Sequence, residues 1–343
     1  VDCAAVTLGD PARPLSDFGN ITDSISWWER MIQALPILTQ VSSASGIEAA
    51  ARAGRYGLLY VRQDGGAVEE DLDHVEELYN RGVRIIQLTY NRANSLGAGC
   101  AEDPAKGLTE LGREAIARMK RAGIAVDLSH CNRQTTLEGI AACAESLAVH
   151  GTHTGSGSAV HGATGPGHDA TGPVPAAPPA ITHSSCRAVY DHFRGKTDEE
   201  LRALADADGY FGLYLMPGFL TGDEGPDGTG PGFDIFLRHL EHAVEILGPE
   251  RVGIGSDWGL WSPDVPPELS QAMVDAALKM GFTKEMGIVA GVSVGGMKDY
   301  SEWPLITRAL VNSGRWSDEQ IRGFLGGNFL DYLRRVERSA SDS

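Results

Sequence analysis

The stretch RAGIAVDLSHCNRQTT, residues 121–136, decides how the chain is read. A helical pattern closes at Gly123, and an apolar run follows from Ile124 to Val126. Asp127, Leu128, Ser129 and His130 come next, just ahead of a second helical pattern. The stretch reads as a buried strand between two helices, with ionisable groups at its C-terminal end. A histidine placed there has two readings. It is hydrogen-bonded to its own loop, or it is a metal ligand at the rim of a barrel.

The same unit repeats outward in both directions. CAAVTL (3–8), YGLLYV (56–61), VRIIQLTY (83–90), PAITHS (179–184), YFGLYLM (210–216) and RVGIGSD (251–257) read as further buried strands. Segments such as EEDLDHVEELYNRG, TELGREAIARMKRAG and DIFLRHLEHAVEILG carry apolar residues at helical spacing and end at glycine. TDEE, opening at Thr197, is a capping box with Glu200 three residues on. Strand–helix repetition with right-handed crossovers gives a closed (β/α) barrel or a doubly wound open sheet. No GxGxxG follows the first strand, which lowers the dinucleotide-binding sheet. Polar groups gather at the strand ends: Gln63 and Asp64, Tyr90 and Asn91, His130, His183, Asp257. In a barrel those ends ring one mouth, where chemistry resides.

The fold expected is therefore a (β/α)8 TIM barrel over residues 1–338, with a polar tail at 339–343. Its mouth is formed by the residues after Val61, Gln87, Leu128, Ile181, Met216 and Gly255. Seven strands are counted, one short of eight; the opening strand lies upstream of the chain, or the closure is unusual. Residues 154–179, rich in Gly, Pro, Ser, Thr and Ala, read as a long loop insertion on the mouth side, since they offer little to bury.

Composition bounds the partners. The chain has 343 residues, 42% of them hydrophobic, with 29 Lys and Arg against 46 Asp and Glu, a formal charge of −17. So acidic a chain argues against nucleic acid or an anionic membrane as partner. No apolar run is long enough to span a bilayer. The five cysteines are scattered without a CxxC pair, which supports neither a zinc knuckle nor a disulfide framework, and a cytoplasmic location is expected.

Each rim residue also has a bland reading. Asp257 could cap a helix, and Arg194 could pair with Asp191 or Glu199 on the surface. His130 and His183 carry more weight together, because both follow a hydroxyl residue at the end of adjacent strands. Imidazole nitrogens so placed can share one zinc ion. An arginine beside the mouth suits a carboxylate-bearing substrate.

VRIIQLTYN, DLSH, ITHSSCRAVYDHFRGKTDEEL and VGIGSD, in this order, resemble the membrane (renal-type) dipeptidases, peptidase family M19, and the chain reads as a divergent bacterial-type member. GLTELGREAIARMKRAGIAVDLSH and GGNFLDYLRRVE extend the resemblance over nearly the whole chain. It implies a metal-dependent-hydrolase barrel with a zinc pair at the mouth, cleaving dipeptides. Carried over by position, His130 and His183 match two histidine ligands of one zinc. Asp257 matches the acid/base aspartate, and Arg194 the holder of the substrate carboxylate. Tyr90 stands where many members have a histidine that contacts the tetrahedral intermediate; with Asn91 it is a candidate substrate contact.

The departures are specific. A first-strand His-x-Asp is absent, and VDC at the start is no substitute. Where a bridging glutamate precedes two glycines, the chain reads VRQDGG, so Gln63 or Asp64 takes its place. GTHTG, with His153, offers a second match to the histidine strand; His183 is preferred because Arg194 falls eleven residues later. At most one zinc is expected. The resemblance implies a zinc-dependent dipeptidase-like amide hydrolase acting on a small dipeptide or amide, and it admits a homodimer. The alternative is a degenerate relative that binds an amino-acid-like ligand, or acts on it without metal.

Overall fold

The computed structural model describes residues 2–10, 13–14, 16–146, 176–222, 231–257, 266, 268, 271–272, 275, 278, 294–297 and 299–341. Among the described residues eight strands are found, all paired in parallel: β1 (Cys3–Thr7), β2 (Leu38–Val41), β3 (Tyr56–Arg62), β4 (Val83–Gln87), β5 (Ala125–Asp127), β6 (Ala180–Ser184), β7 (Tyr210–Leu213) and β8 (Val252–Ile254). The wall runs β1-β3-β4-β5-β6-β7-β8, and these are the seven strands read from the sequence.

The strand that sequence reasoning missed is β2. LTQV is short and half-exposed, so it lacks the continuous apolar run of a buried strand. It pairs with Tyr56–Leu59 of β3, while β4 takes Tyr60–Arg62 further along the chain. Leu58 and Leu59 also pair with β1, so β2 and β4 share the opposite edge of β3. β2 thus wedges between the bases of β3 and β4, where the Gln40 side chain donates to Arg81 O at 2.9 Å.

Helices cover the outside of this wall: α1 (Phe18–Ala34), α2 (Ala44–Arg52), α3 (His74–Asn80), α4 (Glu110–Ala122), α5 (Arg133–Ala144), α6 (Asp198–Asp206), α7 (Pro217–Leu220), α8 (Phe233–Leu247), α9 (Pro304–Ser313), α10 (Asp318–Arg322) and α11 (Asn328–Ser341). Their ends follow local chemistry. Thr109 caps α4 by accepting from Gly112 N, and Gly123 ends it in the left-handed region at φ 77°. The capping box of Thr197 and Glu200 starts α6, as the sequence implied. α3, α4, α5, α6 and α8 pack each against the next, and their apolar faces meet the strands in one large core that includes Ile86, Val126, Leu128, Ile181 and Phe211. α11 lies across α2 and α4, and Glu337 accepts from Ala44 N at 2.8 Å. This helix carries the chain through the expected polar tail as far as Ser341. The expected loop insertion falls, from 154 to 175, outside the described residues.

Among the described residues no pairing joins β8 back to β1. A cavity of about 2350 Å³ occupies that opening. It is lined by Cys3–Thr7 and Ile254 along its length, by Phe324 and Leu330 at the base, and by His183 and Asp257 at the mouth. None of the described helices is long and apolar enough to cross a membrane.

Candidate active site

The site is built where strands end. His183 reaches the cavity because β6 is irregular: Ile181 pairs with Phe211 but Ser184 with Leu213, so one extra residue is fitted on β6. Such bulges re-aim side chains beside active sites. The displaced backbone needs room, and two glycines provide it. A Cβ at Gly212 or Gly255 would stand 1.9 or 1.7 Å from Thr182 O. Their spacing in YFGLYLM and VGIGSD was a legible signal for this close approach.

His130 follows β5 and is buried at 1% exposure. Its ring stacks on Tyr90 with centroids 4.2 Å apart, and its Nδ1 meets Asn91 Oδ1 at 2.8 Å. An amide oxygen only accepts, so His130 carries its proton on Nδ1 and leaves Nε2 bare. That Nε2 lies 3.0 Å from Nε2 of His183. Burial, with the positive charge of Arg194 nearby, holds both imidazoles well below the ordinary histidine range, so both are neutral at physiological pH.

The two nitrogens converge, slightly closer than ligands on one ion would stand. Two imidazole nitrogens bound tetrahedrally at ~2.05 Å stand ~3.3 Å apart. Among the described residues no group of three His, Cys, Asp or Glu side chains is gathered to hold a metal. The nearest carboxylate to the pair, Asp257, places Oδ1 3.9 Å from His183 Nε2. Among the described residues His130 and His183 thus offer two nitrogens to one ion, with Asp257 the nearest carboxylate, and no second cage is gathered.

Gln63 and Asp64 part company. The Gln63 side chain donates to the Asp257 carboxylate at the mouth. Asp64 is buried, and its Oδ1 accepts from Gly66 N and Asn94 Nδ2 while its Oδ2 accepts from Tyr90 N at 2.9 Å. Asp64 thus fixes the β3–β4 loop and the backbone of Tyr90.

Asp257 sits in the left-handed region at φ 50°, an uncommon conformation for a non-glycine residue. Burial pushes its carboxyl up to about 6, against the opposing pull of Arg194 and the Gln63 hydrogen bond. Burial first, then Asp257, raises the Tyr90 hydroxyl far above its ordinary value, so Tyr90 remains a proton donor. Arg194 is buried at 1% exposure and donates through Nη1 to Ser129 O at 2.5 Å. Its Nε and Nη2, the Asn91 Nδ2 and the Tyr214 hydroxyl are buried without a hydrogen-bond partner among the described residues. The Arg194 guanidinium lies 5.4 Å from the centre of the Tyr214 ring. A buried cation with donors unused among the described residues, beside a buried hydroxyl in the same state, suits an anionic ligand.

Sequence reasoning missed Tyr214, whose run YFGLYLM gave no polar signal beyond the tyrosine itself. It also left unassigned Asp127, Ser129 and Thr182, which surround the histidines. The repeated hydroxyl–histidine ending was the clue to them.

The family model described as membrane dipeptidase (peptidase family M19) matches residues 1–274. A Klebsiella pneumoniae protein described as an uncharacterized protein in the pqqA 5′ region is 27% identical over 212 residues, 60% of this chain and 66% of its own length. A Schizosaccharomyces pombe protein described as an uncharacterized dipeptidase is 25% identical over 274 residues, 79% of this chain and 50% of its own length. The chain thus spans about half to two thirds of these relatives. The crystal structure of an amidohydrolase from Pseudomonas aeruginosa superposes with a TM-score of 0.76 at 25% identity, covering 98% of this chain and 89% of that one.

Proposed function

The chain belongs to peptidase family M19, the membrane dipeptidases, and from that premise we propose that it is a zinc-dependent hydrolase of dipeptides or similar small amides with a free carboxylate. The observation that carries this reading is one arrangement. The facing histidine nitrogens lie beside Asp257, and both histidines and Asp257 feel the charge of a buried guanidinium whose Nε and Nη2 have no hydrogen-bond partner among the described residues.

His130 and His183 would hold the ion through Nε2. Zinc, when bound, supplies Lewis acidity to polarise an amide carbonyl and to lower the pKa of water. Asp257 is ionised at neutral pH yet has a pKa near 6, so it can take a proton from water and hand it to the leaving amine. The Tyr90 hydroxyl donates to the carbonyl oxygen as negative charge develops there. Arg194, with Tyr214 and Asn91, binds the carboxylate and sets the distance from it to the scissile bond. Gln63 orients Asp257 by donating to it.

A second reading is favoured by the lack of a third ligand among the described residues: a relative that binds an amino-acid-like ligand and holds no metal. The two separate on hydrolysis. Protein purified without chelator and supplied with zinc should cleave dipeptides slowly and leave their C-terminal amides intact. Binding of dipeptides with no cleavage at any zinc level establishes the second reading.

A further inference from the structure

Both histidines need a defined proton position to be useful, and for His183 that position follows from counting protons. Asp127, the last residue of β5, is buried, and its carboxylate accepts from four donors. Two are backbone N–H groups, Ser129 at 3.0 Å and Thr182 at 3.1 Å. Two are hydroxyls: Ser129 Oγ lies 2.5 Å from Oδ1 and Thr182 Oγ1 lies 2.6 Å from Oδ2. Ser129 Oγ also accepts from the backbone N–H of His183 at 3.1 Å, so its own proton is available for Asp127. The Thr182 hydroxyl has one proton, and Asp127 Oδ2 takes it. Toward His183 Nδ1, 2.9 Å away, Thr182 Oγ1 then presents only lone pairs. That contact is a hydrogen bond only when Nδ1 bears the ring proton.

We propose that Asp127, acting through the Thr182 hydroxyl, is a positioning residue that fixes His183 as the Nδ1–H tautomer and keeps its Nε2 bare for a metal ion. The metal half of this assignment rests on the function proposed above; the tautomer half does not. Asn91 does the same for His130 by a different acceptor. Two bare nitrogens then face each other at 3.0 Å with no proton between them, an arrangement that repels itself and that a cation relieves. Partners of this kind orient metal-ligating histidines and raise their basicity. Asp127 and Thr182 come from neighbouring strands, so the relay is built by the β5–β6 pairing, and the bulge that turns His183 into the cavity also sets Thr182 against Asp127.

The decisive variant is Asp127→Asn, which keeps the shape. Its amide nitrogen at the Oδ2 position would donate to Thr182 Oγ1, which frees the threonine proton for Nδ1 and drives His183 to the Nε2–H form. The tautomer is read by 15N NMR of histidine-labelled, metal-free full-length protein, with the His183 signals identified by their loss in His183→Gln. The expected result is Nδ1–H in the native protein and Nε2–H in Asp127→Asn. Thr182→Val should lose the fixed tautomer and Thr182→Ser should restore it, so this pair decides the matter if Asp127→Asn does not fold. Zinc affinity, measured by competition with a chelating dye, should fall about 10- to 100-fold in Asp127→Asn and Thr182→Val and stay native in Thr182→Ser. An Nε2–H form of His183 in the native protein, or native spectra and zinc affinity in Thr182→Val, overturns the proposal. The expected tautomers in a protein that takes up no zinc would overturn the metal reading and leave the Asp127 relay standing.

Discussion

Arg194→Met separates a functional charge from a structural one. Arg194 is 1% exposed, and its guanidinium donates from Nη1 to Ser129 O and meets the Cys100 thiol. Burying a cation without a tight anionic partner is costly, and apolar replacements of similar volume are often neutral or stabilising. Against this, the lost hydrogen bond to a carbonyl costs about 1.5–3 kcal/mol, the range for charge-assisted bonds. The two effects oppose each other at similar size, so thermal unfolding of Arg194→Met should shift little in either direction. Binding should change much more. A substrate carboxylate loses its charge-assisted donors at the same ~1.5–3 kcal/mol per bond, roughly 10- to 150-fold in Kd. Arg194→Lys keeps the charge but presents one ammonium in place of the fork, and should recover only part of that loss. Calorimetric titration of a dipeptide and its C-terminal amide into native protein and both variants is the assay. Native protein should prefer the acid, and Arg194→Met should bind acid and amide alike. Equal affinity of the native protein for both ligands, or a collapse of stability in Arg194→Met, would refute the reasoning.

Further outcomes follow from the same geometry. The acid limb of kcat/KM should fall near pH 6, where Asp257 protonates, and Asp257→Asn should abolish hydrolysis while sparing binding. Because its folded pKa is raised above the ordinary carboxylate value of 3.8, Asp257 stabilises the fold fully below about pH 4 and loses that contribution as pH rises through 6. Urea unfolding of Asp257→Asn should accordingly gain relative stability at pH 7 and not at pH 4. Tyr90→Phe keeps the ring on His130 and removes the donor, so kcat should drop on the order of 10²-fold with KM little changed; an equal loss in substrate affinity would point to a ground-state role instead. Gly255→Ala drives a methyl into Thr182 O and should cost about 1–3 kcal/mol in urea unfolding, with zinc affinity lost in parallel; a neutral substitution would show that the bulge does not depend on that glycine.

The wall of the barrel was legible because β3 to β8 are largely buried and read as apolar runs, and β1, though half-exposed, still carries the run CAAVTL. β2 was not, since the four residues LTQV are too few and too polar to form such a run. The mouth was legible where a polar side chain ends an apolar strand, which located His130, His183, Tyr90 and Asp257. The division of labour between Gln63 and Asp64 was not, because adjacent residues at a strand end point in opposite directions. Only the loop conformation shows that Gln63 meets Asp257 while Asp64 turns to the amides of Gly66 and Tyr90. Tyr214 was hidden for a related reason: an aromatic residue in an apolar run looks like core until its hydroxyl is seen to lack a partner among the described residues. Asp127 stood in plain view within DLSH, yet its function depends on Thr182, 55 residues away, which strand pairing alone brings to it.

On the function proposed above, His130 and His183 hold one metal ion between their bare nitrogens. Zinc titration of the full chain by calorimetry, with the bound metal counted by mass spectrometry, tests it most directly. One ion per chain is expected in the native protein, with binding lost in both His130→Ala and His183→Ala. Two ions per chain, no ion, or uptake that survives either substitution would contradict it.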